Sequence, residues 1–150
     1  LKLVGIAAQS HAMESMATLN KNSATLMRRY KSHGATDVTG FGLMGHAENL
    51  SQAQISEVDL VIDALPIIQG CDIKVMGMHD FEVTKGYSAE TSGGILTMMP
   101  PAQASEFIKA AEGEFGQTTW VVGKVTKGTR KTILRKDVQV ISVRESPFKH

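Results

Sequence analysis

One short stretch constrains this chain more than any other. Ala35-Thr36-Asp37-Val38-Thr39 is short, β-branched and extended in character, and it runs directly into Gly40-Phe41-Gly42. Beyond the glycines, Leu43, Ala47 and Leu50 recur at helical spacing. A strand, a glycine turn and a helix in immediate succession require a helix layered on a sheet. In α/β proteins that junction is where ligands are held.

The remaining pattern extends this layering in both directions. Before Gly34, Met13, Met16 and Ala17 share one helical face, and Leu26, Met27 and Tyr30 share another. The polar break Asn20-Lys21-Asn22-Ser23 between them fits either two helices or one interrupted helix. Val58, Leu60 and Ile62 alternate with charged residues, predicting a strand over 57–62. Residues 63–86 are broken by Pro66, Gly70, Gly77 and Gly86; a short helix near 66–75 is the expectation there. Glu90-Thr91-Ser92-Gly93-Gly94 reads as a loop feeding a strand over 95–99, which Pro100-Pro101 stops. Ala104, Phe107, Ile108 and Ala111 then mark an amphipathic helix ended by Gly113 and Gly116. Strands over 118–125 and 132–143, separated by Lys127-Gly128-Thr129, predict a terminal hairpin. The fold class expected is α+β, a mixed sheet with helices packed on its faces.

The chain has 150 residues, enough for one domain that buries roughly 68–70% of its unfolded surface. At 42% hydrophobic and 21% charged residues, disorder and fibrous repeats are unexpected. Sixteen Lys and Arg against 15 Asp and Glu leave a net charge of +1, which argues against a nucleic-acid partner. The most basic stretch, Lys124 to Lys136, lacks interleaved aromatics for stacking and reads as a solvated surface. No apolar run approaches the ~18 residues of a membrane span, so a soluble, non-membrane protein is expected. The single cysteine, Cys71, allows no internal disulfide and suggests an intracellular, cytoplasmic setting. The chain opens on Leu1 within a hydrophobic segment, and the expectation is a fragment of a longer protein.

Chemistry concentrates at the glycine turn. Backbone N–H groups at a helix N-terminus suit phosphate, and glycines let a ligand approach closely. Asp37 just before the turn is positioned to hold Mg²⁺, an ion that takes one or two carboxylates together with substrate phosphate oxygens. The plainer alternative is that Asp37 or Thr39 caps the helix. His46 has no second histidine at metal-ligand spacing and is assigned no catalytic role; a packed or surface position is the expectation. Ser92 lacks the Gly-x-Ser-x-Gly setting of an activated nucleophile, so its loop reads as a phosphate-binding turn or a plain one. Cys71 has no partner nearby in sequence and reads as a filler residue.

These residues resemble a known family. Thr36-Asp37-Val38-Thr39-Gly40-Phe41-Gly42-Leu43-Met44-Gly45-His46 is similar to the TDxTGFGLxGH motif of the selenophosphate synthetases (selenide, water dikinases). Glu90-Thr91-Ser92-Gly93-Gly94-Ile95-Leu96 is similar to their ETSGGLL motif, with Ile95 replacing the usual Leu. Trp120-Val121-Val122-Gly123-Lys124-Val125 is similar to their terminal W-x-x-G-x-V strand. The Ala-x-x-x-Met-x-x-Leu-Asn pattern from Ala12 to Asn20 precedes them in the same order, so the resemblance covers nearly the whole chain.

The resemblance implies a C-terminal domain of the aminoimidazole ribonucleotide synthetase-like architecture, residues 1–150 of a two-domain enzyme. Such enzymes convert selenide and ATP, with Mg²⁺, into selenophosphate, AMP and orthophosphate for selenocysteine synthesis, and a full-length homodimer is implied. Asp37 matches the family's metal-binding aspartate. Beside it, Thr39, Gly40, Gly42, Thr91, Ser92 and Gly93 are the residues expected to bind the nucleotide's phosphates. The family's Cys or selenocysteine, its lysine and much of its ATP site lie in an N-terminal domain absent from this chain, so no catalytic residue is assigned and the chain alone is expected to be inactive. The alternatives are another ATP-dependent synthetase of the superfamily, or a non-catalytic dimerisation or ligand-binding module.

Overall fold

The polar break at Asn20 separates two helices. In the computed structural model, which describes residues 6–71 and 82–144, α1 spans Ile6–Ala17 and α2 spans Lys21–Arg29. The other elements are β1 (Gly34–Asp37), α3 (Gly42–Gln52), β2 (Val58–Ile68), a 3₁₀ turn (Val83–Lys85), β3 (Ile95–Met98), α4 (Pro101–Phe115), β4 (Gly123–Lys127) and β5 (Thr132–Val143). Helices and sheets are both present and one sheet is mixed, giving the α+β class expected.

β1 and β3 form an antiparallel pair in which Asp37 lies opposite Ile95. A second sheet has the order β4-β2-β5, with β4 antiparallel and β5 parallel to β2. This corrects the terminal hairpin, because β2 lies between the two strands expected to pair. The cause is local to the β4–β5 connection. Asp59 at the start of β2 accepts hydrogen bonds from the backbone N–H groups of Thr129 (2.7 Å) and Lys131 (2.9 Å), and Gly128 N–H donates to the Glu57 carbonyl. The connection is thereby drawn across the end of β2 instead of closing a tight turn. Those two N–H donors, Lys131 before Thr129, hold the Asp59 carboxyl below its usual range.

The expected helix over 66–75 is also corrected in its described part, since Pro66, Ile67 and Ile68 continue β2 and residues 72–75 lie outside the described residues. β4 pairs only with Val58–Ile62, so Pro66 falls where β2 has an open edge and a missing N–H is tolerated. Residues 118–122, expected in the next strand, stay irregular; the Val122 carbonyl instead accepts from the N–H groups of both Asp63 and Ala64. α4 begins at Pro101, suited to a first helical turn, continues through Gly113, and stops at Gly116 with φ of 60°.

α3 is the element that joins the two sheets. Its Ala47 and Leu50 pack with Val38 of the β1–turn segment, Leu60 of β2 and Leu96 of β3. Met44 packs with Ile62, Leu65 and Ile67 of β2, and half-buried Cys71 lies against that same cluster. In a separate cluster, Leu26 of α2 meets Phe107 and Ala111 of α4. Burying each of the larger of these side chains, the Val, Leu, Ile, Met and Phe, contributes about 1.5–3 kcal/mol. The result is a rigid seat for the glycine turn between β1 and α3.

Candidate functional site

Two loops meet at the end of β1. The β1–β3 ladder continues into them through backbone hydrogen bonds from Val38 N–H to the Gly94 carbonyl (2.9 Å) and from Glu90 N–H to the Thr39 carbonyl (3.0 Å). These bonds place the segment 37–42 beside 90–94, although some fifty residues separate them. Beside them lies a hollow of about 260 Å³ lined by Met16, Thr18, Leu19, Asn20, Asp37, Thr39, Ser92 and Gly93.

Asp37, Thr39, Ser92 and Gly93, four of the residues expected at the site, therefore converge. Asp37 is the last residue of β1 and exposed, and its carboxylate has no hydrogen-bond or ionic partner among the described residues. It does not cap α3. Nor does Thr39: the N-cap position belongs to Phe41, and no side-chain capping bond forms there. The capping alternative is thus corrected. Ser92 has a φ of 52°, a left-handed conformation uncommon for a residue with a Cβ. Gly93 is packed so closely that a Cβ would run into the Val38 carbonyl oxygen and Glu90 Oε2. Desolvation of the Glu90 carboxyl, which leans on Gly93 in an otherwise exposed residue, pushes its pKa upward.

The other three expected residues do not line the hollow. Thr91 borders a wider adjoining groove of about 1280 Å³. Gly40 is exposed, with nothing within 4 Å of a Cβ placed there. Gly42 serves the fold instead, since its φ is +66° and a Cβ would stand 2.6–2.7 Å from the Ser88 and Gly86 carbonyl oxygens and the Tyr87 carbonyl carbon. Only a glycine lets the turn pass under that segment.

Asn20 is a lining residue that the sequence did not single out. It occupies the N-cap of α2, where a side chain ordinarily accepts from the helix N–H groups, yet it makes no capping bond. Its Nδ2 donates instead to the Gly93 carbonyl at 2.9 Å, tying the α1–α2 connection to the 90–94 loop. The available signal was its place at the end of the Ala12–Asn20 pattern. His46 is packed, 8% exposed, with Nε2 3.0 Å from Thr39 Oγ1. The basic stretch is solvated: Arg135 pairs with Asp137, and Arg130 donates to the Ile55 carbonyl.

Chemically, the residues around the hollow carry one carboxylate, three hydroxyls (Thr18, Thr39 and Ser92) and the Asn20 amide, together with backbone groups. Among the described residues no group of three or more His, Cys, Asp or Glu could enclose a metal ion. An ion at Asp37 would have to complete its coordination from water or a ligand's oxygens.

Comparison with known proteins agrees with this architecture. Residues 5–136 match the family model of AIR synthase related protein, C-terminal domain. The chain is 42% identical over 139 residues to selenide, water dikinase 2 of Homo sapiens, covering 91% of this chain and 31% of the relative. It is 41% identical over 138 residues to selenide, water dikinase of Trypanosoma brucei brucei, covering 88% of this chain and 35% of the relative. A probable selenide, water dikinase of Caenorhabditis elegans is 41% identical over 128 residues, or 81% of this chain and 34% of the relative. The chain thus spans about a third of the length of these relatives. With its family model matched over most of its length and its sheets seated on α3, the chain belongs to the AIR synthase related C-terminal domain family.

Proposed function

We propose that this chain is the C-terminal domain of a two-domain selenophosphate synthetase, and that its hollow is one wall of the enzyme's ATP-phosphate and Mg²⁺ site. The whole enzyme makes selenophosphate, AMP and orthophosphate from selenide and ATP, as a cytoplasmic homodimer. The observation that carries this is the convergence of Asp37, Thr39, Ser92 and Gly93 from two distant segments on one hollow. The kinship to selenide, water dikinases supports the same reading, and no described helix is long and apolar enough to cross a membrane.

The donor set fits Mg²⁺, which favours one or two carboxylates with phosphate oxygens and water over an all-protein cage. Asp37 would hold the ion; when bound, it supplies charge neutralisation across phosphate oxygens. Thr39 and Ser92 line the same space, and Gly93, with no Cβ to strike the Val38 carbonyl, lets the two loops close on each other beside it. Asn20 holds the Gly93 carbonyl and so limits movement of that loop. These residues bind and orient; the nucleophile and the remaining ATP contacts belong to the N-terminal domain.

The test is selenide-dependent formation of AMP from ATP by the full-length protein, with and without Asp37→Asn. Selenide-dependent AMP formation that falls steeply in the variant supports the proposal. AMP formation indifferent to selenide, or unchanged by Asp37→Asn at ordinary Mg²⁺, overturns it.

A further inference from the structure

Thr39 is held more completely than a residue at a glycine turn needs to be. Its carbonyl accepts from both Gly42 N–H (2.9 Å) and Glu90 N–H (3.0 Å), which fixes the backbone from two sides. Its hydroxyl is then engaged by His46 Nε2 at 3.0 Å, from the next turn of α3. The imidazole is in turn covered by Phe41, whose ring centroid lies 5.6 Å away at an interplanar angle of 46°. Phe41 itself is 66% exposed, so its ring contributes more as a cover than as core. Gly45 makes that placement feasible, because a Cβ there would stand 2.6 Å from Phe41 Cβ. Gly45, Phe41, His46 and Thr39 therefore form one chain of contacts that ends at the hollow.

We propose that His46 is a positioning residue that fixes the Thr39 hydroxyl for a phosphate or its metal ion in the hollow; this rests on the reading of the hollow given above. A hydroxyl has one proton and two lone pairs. If Nε2 accepts, the proton is committed to His46 and the lone pairs remain for a cation; if Nε2–H donates, the proton remains for a phosphate oxygen. In both tautomers the hydroxyl no longer rotates, and the ordering otherwise required on binding is already in place. His46 touches no ligand in this role and acts through Thr39 alone.

The test compares full-length parent, His46→Phe, Thr39→Val, the double variant and His46→Gln, whose amide reaches the position of Nε2. The readouts are the calorimetric affinity for a non-hydrolysable ATP analogue with Mg²⁺ and the ligand-free thermal midpoint. Expected is an about tenfold loss of affinity in each single variant, on the scale of one hydrogen bond. The double variant binds no more weakly than Thr39→Val alone, and His46→Gln recovers most of the loss. The ligand-free midpoint of His46→Phe stays within about 3 °C of the parent. Losses that multiply in the double variant, or parent-like binding by His46→Phe, overturn the proposal. Should His46→Phe fail to fold, His46→Gln decides: parent-like binding supports the proposal, whereas binding as weak as that of Thr39→Val overturns it. If Thr39→Val binds like the parent while Asp37→Asn does not, the positioning role falls and the hollow remains the site. If neither variant weakens binding, the reading of the hollow falls with it.

Discussion

Gly40 and Gly42 sit two residues apart in one turn, and the structure gives them opposite responses to the same substitution. At Gly42 an alanine must adopt φ of +66° with its Cβ 2.6 Å from the Ser88 carbonyl oxygen and 2.7 Å from two further backbone atoms. The left-handed conformation costs about 1–2 kcal/mol for a residue with a Cβ. Overpacking against backbone, which cannot rotate aside, adds about 1–3 kcal/mol. The smaller entropy of the unfolded alanine chain returns about 0.4–1 kcal/mol, leaving a net loss of about 2–4 kcal/mol. For a domain of this size that lowers the thermal midpoint by about 5–15 °C. At Gly40 nothing lies within 4 Å of the new Cβ and φ is not in the left-handed range, so alanine gains only the unfolded-state term, about 0.4–1 kcal/mol in favour of folding. Calorimetric midpoints of the chain carrying Gly42→Ala or Gly40→Ala measure both. A Gly42→Ala midpoint within about 2 °C of the parent, or a Gly40→Ala midpoint that falls as far as that of Gly42→Ala, would refute the argument.

Four further outcomes follow from other parts of the molecule. Asp37→Asn keeps the thermal midpoint, because the exposed carboxylate has no partner among the described residues, yet lowers ATP-to-AMP turnover of the full-length enzyme about a hundredfold, or about 2.7 kcal/mol, with partial rescue by added Mg²⁺. Retained turnover at ordinary Mg²⁺ would count against a metal ligand. Cys71→Ser lowers stability by about 1 kcal/mol by placing a hydroxyl against the Met44–Ile62–Leu65–Ile67 cluster and leaves turnover within a few-fold; a loss of a hundredfold with the fold intact would assign the thiol a role in the reaction. Glu90 has a folded pKa raised by desolvation of its carboxyl, so the native state holds its proton longer and stability falls as pH rises from the unfolded value of 4.5 through the folded value. Glu90→Gln removes that fall, and identical pH–stability curves from pH 4 to 8 for the variant and parent would show that the carboxyl is not desolvated. The 150-residue chain by itself shows no selenide-dependent AMP formation; appreciable turnover would place the nucleophile within it.

What the sequence made legible was local. The β-branched residues before Gly40 and the helical spacing after Gly42 are short-range signals, and β1 and α3 formed there, although β1 ends at Asp37 and leaves Val38 and Thr39 to the turn. The hairpin failed because its outcome depended on Asp59, about seventy residues away, whose carboxylate takes the N–H groups of the connection between β4 and β5. Periodicity carries no information about such a bond. The apolar run through Pro66 defeats a helix assignment for a related reason: whether proline is tolerated in a strand depends on which edge has a neighbour, a property of the sheet.

The site shows the same division more sharply. Asp37, Thr39, Ser92 and Gly93 were marked by motif, but Asn20 bears on the hollow only because its side chain leaves the cap of its own helix for the Gly93 carbonyl. Gly40 and Gly42 look equivalent in the chain and differ only once the 86–88 backbone lies over one of them. His46 was expected to be packed or exposed, and it is packed; where it packs gives its ring a hydrogen bond to Thr39. A residue's type set what each of these groups is able to do, and the partner brought to it by the fold selected among those abilities. Substitutions that leave the polar side chains of the hollow intact while moving the partner are therefore the sharper probes here. Gly42→Ala is one, because Gly42 N–H donates to the Thr39 carbonyl, so a shift of the turn displaces Thr39 without altering a single polar side chain at the hollow.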